Sequence, residues 1–309
     1  MQSNLSRRLA LLGGAGFIGR NLADALRARG HVVLVVDPRL PASATADVAL
    51  LPLVERERLQ ALLRLHAVDT VVHLASLMLP ASDAAAFERE VADVLVPSFA
   101  LMDYCARSAI RVVLFSSGGT VYGDAGPGPI REDQRLAPQS RYGLAKVMLE
   151  EHARMCQRLH GLRCLILRPS NPYGRHQRLH GAQGLVAVAL GKALAGESLA
   201  VWGDGEAVRD YLDVRDLADA VVQLVESGAE GASFNIGSGV GHSVNEVVEC
   251  VRHVTGRRLE VLHRPARGVD VKHIILDTAA LAASIRWQPR PLEDGLRDFH
   301  RELLAAHVA

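Results

Sequence analysis

Apolar and polar positions along this chain alternate between two periods. Arg8 to Leu12 is a short apolar run of strand type, Asn21 to Arg29 repeats its apolar positions as one face of a helix, and His31 to Val36 is a β-branched run ending at Asp37. The same exchange continues with strand-like Asp69 to Leu74, helix-like Ala84 to Arg107, strand-like Arg111 to Phe115, helix-like Ser140 to His160 and strand-like Cys164 to Leu167. Apolar runs alternating with amphipathic helices predict an α/β protein, with a parallel sheet covered by helices on both faces.

The first strand and helix are joined by Gly13-Gly14-Ala15-Gly16-Phe17-Ile18-Gly19, a Gly-x-x-Gly-x-x-Gly turn. Glycines let such a turn bend tightly and bring its N–H groups close to a pyrophosphate at the helix N-terminus. Asp37 then stands where a carboxylate accepts hydrogen bonds from the ribose hydroxyls of a dinucleotide, and its charge repels a 2′-phosphate. That favours NAD, although Arg39 nearby leaves NADP open. Further along, Tyr142 and Lys146 are four residues apart and share one face of the predicted helix. A phenol with a free pKa of about 10 becomes a usable base when a cation lowers that value, so Lys146 is expected to draw the Tyr142 phenol toward neutrality. Ser116-Ser117-Gly118-Gly119-Thr120-Val121-Tyr122-Gly123 precedes the pair by about twenty residues and adds hydroxyls in a glycine-rich turn. His73 reads as a strand-end histidine with its hydrogen bonds satisfied.

Composition narrows the partners. The chain has 309 residues, 49% hydrophobic, with a net charge of +1 spread along its length, so neither a basic stripe for nucleic acid nor an acidic tail is present. Cys105, Cys156, Cys164 and Cys250 lack metal-type spacing and Cys-x-x-Cys pairs, and are expected to be reduced thiols of a cytoplasmic protein that holds no metal. The apolar run after Arg7 and Arg8 is punctuated by glycines and leads into a helix, so it is not read as a signal peptide. No segment reaches the ~18 apolar residues of a membrane span.

Taken together, the glycine turn, Asp37, His73-Leu74-Ala75, Ser116 to Gly123 and Tyr142-x-x-x-Lys146 resemble the extended short-chain dehydrogenase/reductase family, in particular its NAD-dependent sugar-nucleotide epimerases and dehydratases. Arg168-Pro169-Ser170-Asn171-Pro172-Tyr173-Gly174, Trp202-Gly203-Asp204-Gly205, Arg209-Asp210-Tyr211, Phe234-Asn235-Ile236-Gly237 and Arg267-Gly268-Val269-Asp270 extend the likeness over the second half. The resemblance implies a doubly wound Rossmann domain over residues 1–170, to which 211–225 returns, and a smaller nucleotide-sugar-binding domain over 171–309. It assigns NAD to Gly13, Gly16, Phe17, Ile18, Gly19, Asp37, Asp47, Val48, Leu74, Ala75, Ser76, Ser116, Tyr142, Lys146 and Pro169. Asn171, Val201, Trp202, Arg209, Arg267 and Asp270 fall to the substrate, most simply a UDP-sugar. Arg209 and Arg267 would clamp the diphosphate, Trp202 is either a wall for the base or core, and Asp270 braces Arg267 or its loop. A homodimer built on the helices Ala84 to Arg107 and Ser140 to His160 is also implied.

Within the family the expected reaction is epimerisation at C4 through a 4-keto sugar, with Tyr142 as the base. Gly119-Thr120 stands where dehydratases carry an acid and a base, and where a pentose-forming decarboxylase carries Glu, so both are disfavoured. A 4-keto sugar reductase and a catalytically weakened NAD-binding sensor or scaffold are the alternatives. One departure from the pattern is Gly118, where relatives have Ser or Thr. An extended backbone there would place Thr120 on the same face as Gly118 and turn Ser117 away, making Thr120 the first candidate for the missing hydroxyl and Ser117 the second.

Overall fold

A computed structural model describes residues 6–39, 47–79, 82–181, 183–266 and 271–308. The first half runs β1 (Arg8–Leu12), α1 (Phe17–Ala28), β2 (Val32–Val36), β3 (Val48–Ala49), α2 (Arg56–Leu65), β4 (Thr70–His73), α3 (Ala84–Glu90), α4 (Val96–Arg107), β5 (Arg111–Phe115), β6 (Pro129–Ile130), α5 (Arg141–His160) and β7 (Cys164–Pro169). The second half runs β8 (Asn171–Tyr173), α6 (Leu185–Ala195), β9 (Leu199–Trp202), β10 (Val208–Asp213), α7 (Val214–Ser227), β11 (Ser233–Ile236), β12 (Gly241–Ser243), α8 (Val244–Thr255), β13 (Val261–Arg264), β14 (His273–Leu276), α9 (Ala279–Ser284) and α10 (Leu292–Val308).

The strands with continuous apolar runs form a seven-stranded sheet in the order β11-β7-β5-β4-β1-β2-β3, parallel at every pairing. Every residue of β4, β5 and β7 is buried, as strands covered on both faces must be. One face packs Leu59, Leu63, Leu101 and Leu149 of α2, α4 and α5 against the sheet, and the other packs Leu22, Leu26, Leu217 and Val221 of α1 and α7. This is the doubly wound arrangement expected from the alternation.

The two halves of the chain exchange strands. Helix α7 lies against α1 and β11 pairs with β7, so part of the second half completes the large sheet. Conversely β6 leaves the first half to pair with β14 in a smaller sheet ordered β12-β10-β14-β6. The helical stretch from Ala84 to Arg107 contains a π-helical turn at Val91–Leu95, directly after Glu90, which swings the helix without ending it.

Candidate active site

Three cavities line up along the carboxyl ends of the strands, where open parallel sheets bind ligands. The first, about 410 Å³, is walled by Gly13, Gly16, Asp37, Arg39, Leu74, Ala75 and Ser76. It shares Gly13, Gly16, Leu74 and Ser76 with a central cavity of about 480 Å³ that also holds Phe17, Ile18, Gly19, Ser116, Ser117, Thr120, Tyr142, Lys146, Pro169 and Asn171. Asn171 passes in turn into a third, about 280 Å³, with Val201, Trp202 and Arg209. The result is one continuous groove of a size suited to a dinucleotide and a second ligand.

Local chemistry explains the first cavity. Gly13 has φ +80°, and a Cβ there would lie 2.9 Å from the backbone of Ala75; a Cβ on Gly19 would lie 2.5 Å from Gly14. Those two positions therefore require glycine. No side chain caps α1 at Gly16, so its first N–H groups face the cavity, the arrangement that receives a phosphate. Asp37 is buried and accepts from the Ala15 and Arg39 N–H groups, which aims its carboxylate across the turn. Beside this cavity the Asp47 carbonyl accepts from Val35 N–H and Val48 packs on the sheet, while Leu51, Pro52, Leu53 and Val54 add to the wall.

Tyr142 and Lys146 share the inner face of α5, a helix begun by the Ser140 side chain accepting from Gly143 N–H and ended by Gly161 at φ +65°. Lys146 Nζ donates to the Phe115 carbonyl at 3.1 Å and lies 5.7 Å from the Tyr142 ring centre. Burial pulls Lys146 down to about 8, against the opposing charges of Glu90 and Glu150. The phenol behaves differently from the expectation that its lysine would lower it. Burial, reinforced by the charge of Glu90, pushes Tyr142 up to about 12, and a hydrogen bond from Ser117 recovers only part of that. Desolvation of a phenolate outweighs a cation that sits beside the ring without touching the oxygen. His73, at the end of β4, is wholly buried, its Nε2 2.6 Å from Ser98 Oγ; burial, then the Lys146 charge, lowers it to about 3, so it stays neutral.

The turn after β5 is not extended. The N–H groups of both Thr120 and Val121 donate to the Ser117 carbonyl, so the chain coils and brings Ser117 and Thr120 to the same wall. The alternation expected across Ser117, Gly118 and Thr120 therefore fails. Gly118 faces away from the groove: a Cβ there would lie 2.5 Å from Leu276 Cδ1 and 2.9 Å from the Arg168 carbonyl oxygen. Its neighbour Gly119 lines the groove, and a Cβ on it would find only Asn171 Oδ1, at 3.7 Å. Thr120 Oγ1 is buried in this wall without a protein partner, whereas Ser117 is engaged with Tyr142.

Behind the wall runs a buried polar chain that local pattern did not reveal. Ser116 Oγ donates to Glu150, Glu150 is gripped by Arg168 Nε at 3.0 Å and Nη2 at 2.6 Å, Arg168 Nη1 donates to Tyr122 Oη, and Tyr122 Oη donates to Asn235. Although burial acts to raise Glu150, Arg168 holds its carboxyl below the ordinary range. Ser116 thus reaches the groove as a wall and spends its hydroxyl on Glu150. Glu90, likewise buried, accepts from Ser76 Oγ and Leu77 N–H at 2.9 and 2.6 Å and fixes the loop between the first two cavities.

On the substrate side, Asn171 donates to the Asp210 carbonyl at 2.9 Å, and Arg209 Nη1 donates to the carbonyls of Val208 and Lys272. Trp202 is 47% exposed on β9, so it is a cavity wall and not core, while Val201 beside it is buried. Arg267 and Asp270 lie outside the described residues.

Known proteins match this layout. The model of the NAD dependent epimerase/dehydratase family matches residues 9–237. A UDP-glucose 4-epimerase of Azospirillum brasilense is 34% identical over 94% of this chain and 89% of its own. A crystal structure of the UDP-glucose 4-epimerase of Thermotoga maritima with UDP-glucose superposes with a TM-score of 0.90 at 30% identity, covering 97% of this chain and 99% of that one. The Thermus thermophilus UDP-glucose 4-epimerase in complex with NAD gives 0.86 at 29% identity over 97% and 99%. With the family model covering most of the chain and a full-length relative above 30% identity, the chain belongs to the NAD dependent epimerase/dehydratase family.

Proposed function

We propose that the protein epimerises C4 of a UDP-hexose, with NAD in the first two cavities and the nucleotide sugar in the central and third. The observation that carries this reading is that Tyr142 lines the central cavity with Thr120 and Asn171, and that this cavity shares walls with both of the others. NAD supplies reversible storage of the C4 hydride. As its phenolate, the Tyr142 oxygen would take the proton of the sugar 4-hydroxyl when the 4-ketone forms and would return it when the alcohol is restored on the opposite face. Thr120 Oγ1 donates to the same sugar oxygen, Ser117 donates to the Tyr142 oxygen and favours its anion, and Lys146 is held beside the ring by the Phe115 carbonyl. Asp37 holds the adenosine ribose, and Arg209 and Arg267 hold the diphosphate. On this reading residues 1–170 carry the cofactor and 171–309 the sugar nucleotide, with the exchanged strands joining them.

A homodimer is part of the proposal. Val96 of α4 and Leu144 and Met148 of α5 expose apolar side chains on adjoining helices, as a four-helix interface needs, and sedimentation would test it. Four free cysteines agree with a cytoplasmic setting, and among the described residues no helix is long and apolar enough to cross a membrane. The deciding experiment incubates the purified protein with UDP-glucose, UDP-N-acetylglucosamine and UDP-glucuronate without added cofactor. Formation of a 4-epimer by protein that retains NAD supports the proposal. Turnover only of a 4-keto sugar with NADH or NADPH consumed stoichiometrically would make the enzyme a reductase.

A further inference from the structure

Helices α4 and α5 pack against one another away from the groove, and their contact gathers three side chains that line none of the three cavities: Asp103, His152 and Cys156. His152 and Cys156 are four residues apart on α5 and so project from one face, and Asp103 meets them from α4. Cys156 Sγ lies 3.3 Å from Asp103 Oδ1 and 3.4 Å from His152 Nε2, and Nε2 lies 3.5 Å from Oδ1. One nitrogen, one oxygen and one sulfur thus form a nearly equilateral triangle.

A proton relay would look different. An imidazole relays through its two nitrogens, whereas here carboxylate and thiol both face Nε2, which has a single proton or a single lone pair to offer. In the metal-free protein the Cys156 thiol donates to Asp103 Oδ1 and His152 pairs with the same carboxylate; the three separations also match one face of a coordination tetrahedron. Zinc bonds of about 2.3 Å to sulfur and 2.0–2.2 Å to nitrogen and oxygen, at tetrahedral angles, set donor atoms about 3.3–3.6 Å apart. Phe99 stacks on the His152 ring with centroids 4.3 Å apart, which fixes the ring plane. The Cys156 side chain is buried and that of Asp103 is 40% exposed, so the open side of the triangle is on the carboxylate side, next to the helix face proposed for the homodimer.

We propose that Asp103, His152 and Cys156 form a site for a zinc-type divalent cation that ties α4 to α5, the helix carrying Tyr142 and Lys146. Mixed sulfur, nitrogen and oxygen donors select zinc or cobalt over magnesium and calcium, which take oxygen ligands. Binding releases the Cys156 thiol proton to solvent and leaves a thiolate on the metal, with no change in oxidation state. The role is structural, since the triad stands apart from the groove.

The test is a cobalt titration of the chelator-treated full chain. One cobalt ion per chain is expected, with visible bands of a tetrahedral site and a thiolate-to-cobalt charge-transfer band, both bleached by zinc, and zinc should raise the melting temperature. Cys156→Ser should lose the charge-transfer band, and Asp103→Asn and His152→Gln should each weaken affinity by at least the roughly 10-fold that losing even an outer-shell partner costs. Unchanged NAD binding by each variant would show that it remains folded. Absence of the charge-transfer band from the wild type, its survival in Cys156→Ser, or undiminished affinity in Asp103→Asn and His152→Gln would overturn the site.

Discussion

Replacing Thr120 by Val separates a structural hydroxyl from a working one. Val has the shape of Thr with a methyl in place of Oγ1, and that oxygen is buried in the groove wall without a protein partner. A buried hydroxyl without a partner costs about 1–3 kcal/mol, so Thr120→Val should leave the free protein as stable as before or stabilise it by up to that amount. A hydrogen bond to a sugar oxygen that gains charge is worth about 1.5–3 kcal/mol, so kcat should fall roughly 10–100-fold. Urea unfolding and epimerisation of UDP-glucose, measured on the same preparations, give the two numbers. Gly118→Ser should not rescue this variant. Its Cβ would press on Leu276 and the Arg168 carbonyl, at about 1–3 kcal/mol of overpacking, and its hydroxyl would point away from the sugar. Wild-type turnover in Thr120→Val, or activity regained on adding Gly118→Ser, would refute the assignment.

Other expectations concern the remaining parts of the groove. Tyr142→Phe should abolish turnover and keep NAD binding, and an ultraviolet difference titration against it should place the wild-type phenol near pH 12 in the absence of NAD, moving higher still in Ser117→Ala, which loses the hydrogen bond favouring the phenolate. Lys146 is depressed from 10.5 to about 8, so across that interval the unfolded chain holds a proton that the folded chain has released. Stability contributed by this site therefore rises with pH from about 8 to 10.5, and urea unfolding of Lys146→Met should lack the rise. Asp37→Ala should reduce the preference for NAD over NADP by about 1–3 kcal/mol in paired titrations, since an unfavourable charge near the 2′-phosphate is removed. Arg209→Ala should weaken UDP binding by about 2–5 kcal/mol in calorimetry and leave NAD affinity unchanged.

Much of this protein is local and could be read along the chain. Gly19 needs to be glycine because Gly14 of the same turn crowds it, and Tyr142 and Lys146 share a face because a helix repeats every 3.6 residues. Ser140 and Gly161 mark the ends of that helix by chemistry confined to a turn. Such features need only neighbours a few positions away.

What local pattern misassigned lay where distant segments meet. The direction of Gly118 is set by Leu276, which is brought beside it by the small sheet, and the coil of Ser117 to Val121 replaces an extended chain that period alone would predict. The phenol of Tyr142 is governed by burial and by Glu90 from another helix, not by the lysine next to it in sequence. Leu51 through Val54 join the wall of the first cavity without a motif that marks them, because packing beyond the short β3 brings them there. Sequence by itself determined the fold, the glycine turn and the placement of Tyr142 and Lys146 on one helix face, since these rest on period and turn chemistry. Only the tertiary structure decided which hydroxyl faces the groove, how far the phenol is from ionising, and that Asp103 meets His152 and Cys156, because packing joins residues that the chain keeps far apart.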